Sequence, residues 1–193
     1  MPVIVGSVTR IIAGRAGSLT LEVPDSGTRP TSDRVRESLF GSLESSGALD
    51  DAVVLDLYAG SGALGLEAVS RGAVSADLVE KAPKAATVVQ RNATRVGTAL
   101  GASVRITVHR AAADTFLRSS RGPYDLVVTD PPYDLSEGEL TTTLELLLPH
   151  LAPDADVIIE RARRSPEPVL PAGLVTNRTK GYGDTTMWWV TTA

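Results

Sequence analysis

The sequence predicts a doubly wound α/β fold, and three observations carry that prediction. From about Val53 onward, short apolar and β-branched runs alternate with stretches of helical spacing, the pattern of strands and crossover helices around a parallel sheet. The runs at 53–57 and 126–129 are apolar with little alternation, as expected of strands covered on both faces. Both stop at strong turn formers, Gly60 and Gly62 after the first and Pro131-Pro132 after the second.

Residues 3–12 and 18–23 read as a hairpin joined through Gly14 and Gly17, followed by a turn over residues 24–27. Arg29-Pro30-Thr31-Ser32-Asp33 then supplies helix-start chemistry, and Val35, Leu39 and Leu43 recur every four residues on one face. A hairpin and a helix are therefore expected over residues 1–50, ahead of an α/β unit at 51–193. Within that unit strands are predicted at 53–57, 76–80, 104–109, 126–129 and 157–160. Helices are predicted at 63–71, 84–96, 112–118 and 139–151. Residues 174–178 and 186–191, around Gly181-Tyr182-Gly183, close the fold as an antiparallel pair. The chain carries neither an internal repeat nor a low-complexity tract.

At 193 residues and 42% hydrophobic composition, the chain can bury a full core and fits one domain with a small appendage. It has no cysteine, which excludes disulfides and thiolate metal sites. With neither a signal-peptide pattern nor an apolar run of membrane-spanning length, a soluble, cytoplasmic, metal-free monomer is expected. The net charge is -4, unlike a protein that grips nucleic acid by charge alone. Residues 1–40 hold five arginines against four acids, a net of +1, and the remainder carries the other -5.

The order of residues at 124–133, YDLVVTDPPY, carries the most functional information. The prolines offer no N–H and push the residues before them out of helical conformation. The result is a stiff, extended tip with one acid, Asp130, and an aromatic ring, Tyr133. An exocyclic amino group of a nucleobase is a poor nucleophile until it is oriented. Asp130 and the Pro131 carbonyl can accept its N–H bonds and stabilise the positive charge that develops on nitrogen during methyl transfer. Tyr133 can stack on the base. The alternative is that Asp130, Pro131, Pro132 and Tyr133 form only a rigid strand-to-loop turn.

Residues 55–68, LDLYAGSGALGLEA, read as a buried strand, a glycine turn and a helix. Gly60, Gly62 and Gly65 match G-x-G-x-x-G, with Glu80 about twenty residues beyond Gly60, so a dinucleotide is one candidate ligand. Two features favour S-adenosylmethionine. Asp56 precedes the turn, where a carboxylate can oppose the ammonium of a methionine moiety, and Glu80 at a strand end can hold both ribose hydroxyls. The only histidines, His109 and His150, read as surface or strand-end residues rather than proton-transfer groups.

Taken together, RIIAG at 10–14, RPTSDRVRESLF at 29–40, the glycine turn and DPPY make the chain resemble the RsmD-type enzymes, which methylate N2 of a guanine in bacterial 16S ribosomal RNA. The likeness runs through nearly the whole chain, and the segment 29–40 is its most family-specific part. The resemblance implies a Rossmann-like class I S-adenosylmethionine-dependent methyltransferase fold, with a mostly parallel seven-stranded sheet and an antiparallel final strand. It implies a substrate presented within the small ribosomal subunit. On matching positions, Tyr58, Ala59, Gly60, Ser61 and Gly62 would line the cofactor, with Glu80 on its ribose and its adenine near Ala112 or Asp114. Asp130 to Tyr133 would hold the guanine, and Arg10, Arg15, Arg29, Arg34 and Arg36 would face RNA. Arg161, Arg163 and Arg164 follow the fifth strand, where they reach phosphate or form a solvated loop. The rival readings are adenine-N6 methylation of DNA, an NAD-dependent oxidoreductase, and an inactive cofactor-binding protein attached to the ribosome.

Overall fold

The computed structural model describes residues 8–24 and 31–193. Strand β1 (Val8–Arg10) pairs antiparallel with β2 (Thr20–Glu22). The expected hairpin is thus present among the described residues; residues 3–7 of its first strand and most of the 24–27 turn lie outside them. Helix α1 (Asp33–Ser46) starts where Ser32 Oγ accepts the Val35 N–H at 3.3 Å and stops at Gly47, whose φ of 75° suits a residue without Cβ.

The alternating region follows as β3 (Val53–Leu57), α2 (Ala63–Ser70), β4 (Ser75–Val79), α3 (Pro83–Leu100), β5 (Arg105–His109), α4 (Ala113–Leu117), β6 (Tyr124–Thr129), α5 (Glu137–Leu147) and β7 (Leu151–Ala162). Then come β8 (Leu174–Tyr182) and β9 (Thr185–Thr192). The seven-stranded sheet has the order β5-β4-β3-β6-β7-β9-β8. Strands β3 to β7 pair in parallel, while β9 inserts antiparallel between β7 and β8. The expected mostly parallel sheet with an antiparallel final strand is present.

The junction of α5 and β7 differs from expectation. Helix α5 ends at Leu147 and a single 3-10 turn (Leu148–His150) leads straight into β7, rather than continuing to residue 151, because Pro149 cannot continue the helical hydrogen bonding. Strand β7 begins six residues early. Its ladder with β6 skips between the pairs Tyr124↔Leu151 and Leu126↔Asp156, and Pro153 and Asp154, at φ 60°, occupy the gap. Proline is tolerated in a strand at such an irregularity.

The sheet is covered on both faces. Val54, Leu78, Leu126, Val128 and Ile158 pack with Leu39 and Phe40 of α1, Leu66 of α2 and Val89 of α3. The alternate residues Leu55, Leu57, Val127, Val157 and Ile159 pack with Phe116 of α4 and with Leu140 and Leu144 of α5. Ile11 and Leu21 belong to the first cluster, so the segment before the sheet shares the sheet's core. It is also tied to α2. The Glu67 carboxylate accepts the N–H of Ile12 at 2.7 Å and of Ala13 at 3.0 Å, and Ser70 Oγ donates to Ala13 O at 2.6 Å. Gly14 passes so close that a Cβ there would lie 2.1 Å from the Ser70 carbonyl oxygen. Among the described residues no helix is long and apolar enough to cross a membrane.

Candidate active site

The strand register builds the site. Leu57 lies beside Val79 on one side and Thr129 on the other, and Thr129 lies beside Ile159. The next residues along, Tyr58, Glu80, Asp130 and Glu160, therefore reach the carboxyl edge at one level. Between β3 and β6 the strand order reverses, and ligands of open α/β sheets bind at such a reversal.

The chain leaves β3 through a strained turn, with positive φ at Tyr58 (64°), Gly60 (57°) and Gly62 (80°). Glu80 fixes this turn: one carboxylate oxygen accepts the Gly60 N–H at 3.0 Å and the other the Ala82 N–H at 2.7 Å. Each oxygen keeps a further lone pair for a ligand donor. Tyr58 OH stands 3.4 Å from Thr143 Oγ1, which donates to Asp114 at 2.7 Å. Ala112 is exposed at the start of α4.

Asp56 is placed differently from expectation. It lies beneath the turn, 1% exposed, where its carboxyl accepts the Gly65 N–H at 2.8 Å, and it is absent from the wall of the cavity above. Burial pushes this carboxyl up to about 7, against the Gly65 hydrogen bond and with help from the Glu80 charge. Its contact is with the first turn of α2, so it orders the glycine loop through backbone.

Asp130 is half-buried, Pro131 buried and Tyr133 64% exposed. Burial raises the Asp130 carboxyl well above the ordinary range, and the neighbouring carboxylates of Glu160 and Asp56 raise it further, while Arg161 acts against them. Glu160, itself buried and raised by that burial, accepts from Thr31 Oγ1 at 2.9 Å and from the Thr185 hydroxyl. Arg161 is buried too, donating to Glu137 and, at 3.2 Å, to Leu135 O. Neither expectation for Arg161, phosphate contact or solvated loop, matches that placement; Arg163 and Arg164 are exposed.

Two cavities share Thr31. The smaller, of roughly 60 Å³, is lined by residues 58–61, Leu64, Asp130 and, from the N-terminal elements, Thr9, Thr31 and Arg36. The larger, of roughly 660 Å³, is lined by Arg34, Tyr133, Glu160, Lys180 and Tyr182, and again by Thr31. Asp130 lines the smaller cavity only, and Glu160 and Tyr133 line the larger only. Strand pairing sets Glu160 at this level, and the i, i+2 spacing of Lys180 and Tyr182 puts both on one side of β8. Sequence reading passed over these three and Thr31; the one available signal was the acid ending the 157–160 run.

The arginines expected on one face are divided. Arg10 is 61% exposed by side chain and pairs with Asp33 at 3.1 Å. Arg15 is exposed and donates to Leu100 O at 2.7 Å, and Arg34 is exposed at the larger cavity. Arg29 lies outside the described residues. Arg36 is 1% exposed, on the buried side of α1 rather than a solvated face. His109 pairs with Asp77 at 2.9 Å and packs on Phe116, away from the cavities. Among the described residues no group of three or more histidine or acidic side chains is arranged to hold a metal.

Comparison with known proteins gives a consistent picture. Residues 9–191 match the family described as Conserved hypothetical protein 95. Ribosomal RNA small subunit methyltransferase D of Escherichia coli (strain K12) is 38% identical over 177 residues, covering 90% of this chain and 85% of the relative. The protein of the same name from Haemophilus influenzae is 32% identical over 160 residues, covering 81% and 80%. The solved structure of yhhF from Escherichia coli superposes with a TM-score of 0.80 at 34% identity, covering 96% of this chain and 98% of that one.

Proposed function

Because this chain belongs to the ribosomal RNA small subunit methyltransferase D family, we propose that it transfers a methyl group from S-adenosylmethionine to the exocyclic N2 of a guanine in the 16S ribosomal RNA of the small subunit. One observation carries the reading: Asp130 lines the cavity at the glycine turn, and that cavity shares Thr31 with the cavity lined by the exposed Tyr133 ring.

The glycine turn and the residues around it suit the cofactor. The bent backbone at 58–62 lets a ligand approach without side-chain obstruction, and the spare lone pairs of Glu80 suit two ribose hydroxyls. Ala112 or Asp114 meets the adenine, and Asp56 supports the turn through the Gly65 amide. When bound, S-adenosylmethionine supplies an electrophilic methyl group on a sulfonium sulfur.

The protein's part is to present the acceptor. Tyr133 stacks on the guanine, while the Asp130 carboxylate and the Pro131 carbonyl accept the two N–H bonds of the exocyclic amine and aim its lone pair. As nitrogen becomes positive, the same two oxygens stabilise it. The proton that nitrogen finally sheds has an acceptor in the Asp130–Glu160 pair. Residues 1–50 act as the RNA-facing extension of the catalytic unit at 51–193, with Arg10, Arg15, Arg29 and Arg34 toward RNA, and the protein works in the cytoplasm as a monomer.

Asp130→Ala tests the central role. It should retain S-adenosylmethionine affinity by calorimetry and lose roughly 10²–10³-fold in turnover, the scale for one preorganised transition-state group. Unchanged turnover would remove Asp130 from the mechanism.

A further inference from the structure

The apolar stripe of α1, completed by Leu39, Phe40 and Leu43, includes a guanidinium. Arg36 Nη2 donates to Thr9 Oγ1 and to Asp33, each at 2.8 Å, but Nε and Nη1 have no hydrogen-bond acceptor. The buried Glu67 carboxylate stands 3.9 Å from Nη1, beyond hydrogen-bond distance. It is already taken by the N–H groups of Ile12 and Ala13 and by Arg71 Nε at 2.7 Å. A buried charge left with unmade hydrogen bonds is destabilising, and an apolar side chain of similar size avoids that cost.

Location gives these donors a use. Arg36 lines the smaller cavity with the glycine turn and Asp130, and it is the only cation among the described residues lining that cavity. The methionine end of S-adenosylmethionine is a zwitterion. Its carboxylate needs a cation whose donors are unclaimed and shielded from water.

We infer that Arg36 binds the α-carboxylate of the methionine moiety of S-adenosylmethionine through Nε and Nη1. The inference rests on the cofactor proposed above, and it moves Arg36 from the RNA face, where the sequence placed it, to the cofactor side of the site. Asp33 and Thr9 hold the guanidinium in place, so the N-terminal hairpin and α1 take part in cofactor binding as well as facing RNA.

The test compares two ligands that differ only in the carboxylate, S-adenosylhomocysteine and its decarboxylated analogue, by calorimetry on the full chain. For the unaltered protein, removal of the carboxylate should weaken binding roughly ten- to a hundredfold, as expected for a charge-assisted pair. In Arg36→Gln the two ligands should bind within about twofold of each other. A variant that still discriminates as the unaltered protein does, or that loses affinity for both ligands equally, overturns the assignment. Arg36→Gln is expected to fold; if it does not, NMR of arginine-labelled unaltered protein decides. An arginine Nε–H resonance should shift with S-adenosylhomocysteine and stay put with the decarboxylated ligand, and equal response to both overturns the assignment. If the unaltered protein binds neither ligand, the cofactor reading itself fails, which is a different result.

Discussion

At the residue scale two carboxyls, the buried Asp56 and the half-buried Asp130, are raised above the ordinary range, and their protonation can be followed. Asp56 is held neutral up to about pH 7 by burial, whereas in the unfolded chain it ionises near the ordinary value. Its folded pKa is raised, so the stability it contributes is complete at low pH and is lost as pH climbs through 7. Asp56→Asn keeps an acceptor for the Gly65 N–H without the charge. Its stability advantage over the unaltered protein should widen by about 3 kcal/mol between about pH 5 and about pH 8, measured by denaturant unfolding; a constant gap would contradict a neutral Asp56. In the proposed reaction Asp130 makes the opposite demand, since it must be ionised to accept from the amine. The acid limb of its kcat/KM profile should lie above the ordinary carboxylate range, because burial and the Glu160 charge raise it. Glu160→Gln should move that limb to lower pH. Because the two acids titrate as a pair, a limb that stays in place would show that they are uncoupled.

At the scale of elements, the N-terminal segment and α2 depend on each other. Gly14, at φ 79°, presses on the Ser70 carbonyl, and the Glu67 and Ser70 side chains saturate the backbone around it. Gly14→Ala should cost roughly 2–4 kcal/mol in unfolding free energy, from left-handed strain and overpacking; a loss under about 0.5 kcal/mol would mean the segment is not clamped. Strands β3 and β6 were legible in sequence because burial on both faces leaves an uninterrupted apolar run, and the 193-residue chain marks their ends with glycine and proline. The start of β7 was hidden because Pro153 and Asp154 read as a turn, and only pairing with β6 shows that they sit in a break of the ladder. Arg36 was misplaced because α1 was read from Val35, Leu39 and Leu43; the buried side includes Arg36, Leu39, Phe40 and Leu43, and a cation on it has no signature in the periodicity.

Across the whole molecule, the sheet order decides which distant segments share the site. Glycine turn, DPPY tip and Glu80 were each visible as local patterns, but Glu160, Lys180 and Tyr182 enter through long-range register, which no local spacing encodes. The exposed Arg34 and the nearby Lys180, 3.0 Å from Ser38, flank the larger cavity and suit contact with phosphates. Arg34→Glu with Lys180→Glu should weaken association with small ribosomal subunits and flatten its salt dependence while leaving S-adenosylmethionine affinity unchanged; a matching loss of cofactor affinity would mean the pair supports the fold instead. The modest basic excess of the first forty residues fits recognition of a shaped ribonucleoprotein rather than bare charge. The most direct test of the whole account is to incubate the protein with labelled S-adenosylmethionine and small subunits lacking the modification, then separate the nucleosides. Label in N2-methylguanosine is the predicted result, and label in methyladenosine, or none in N2-methylguanosine, would contradict it.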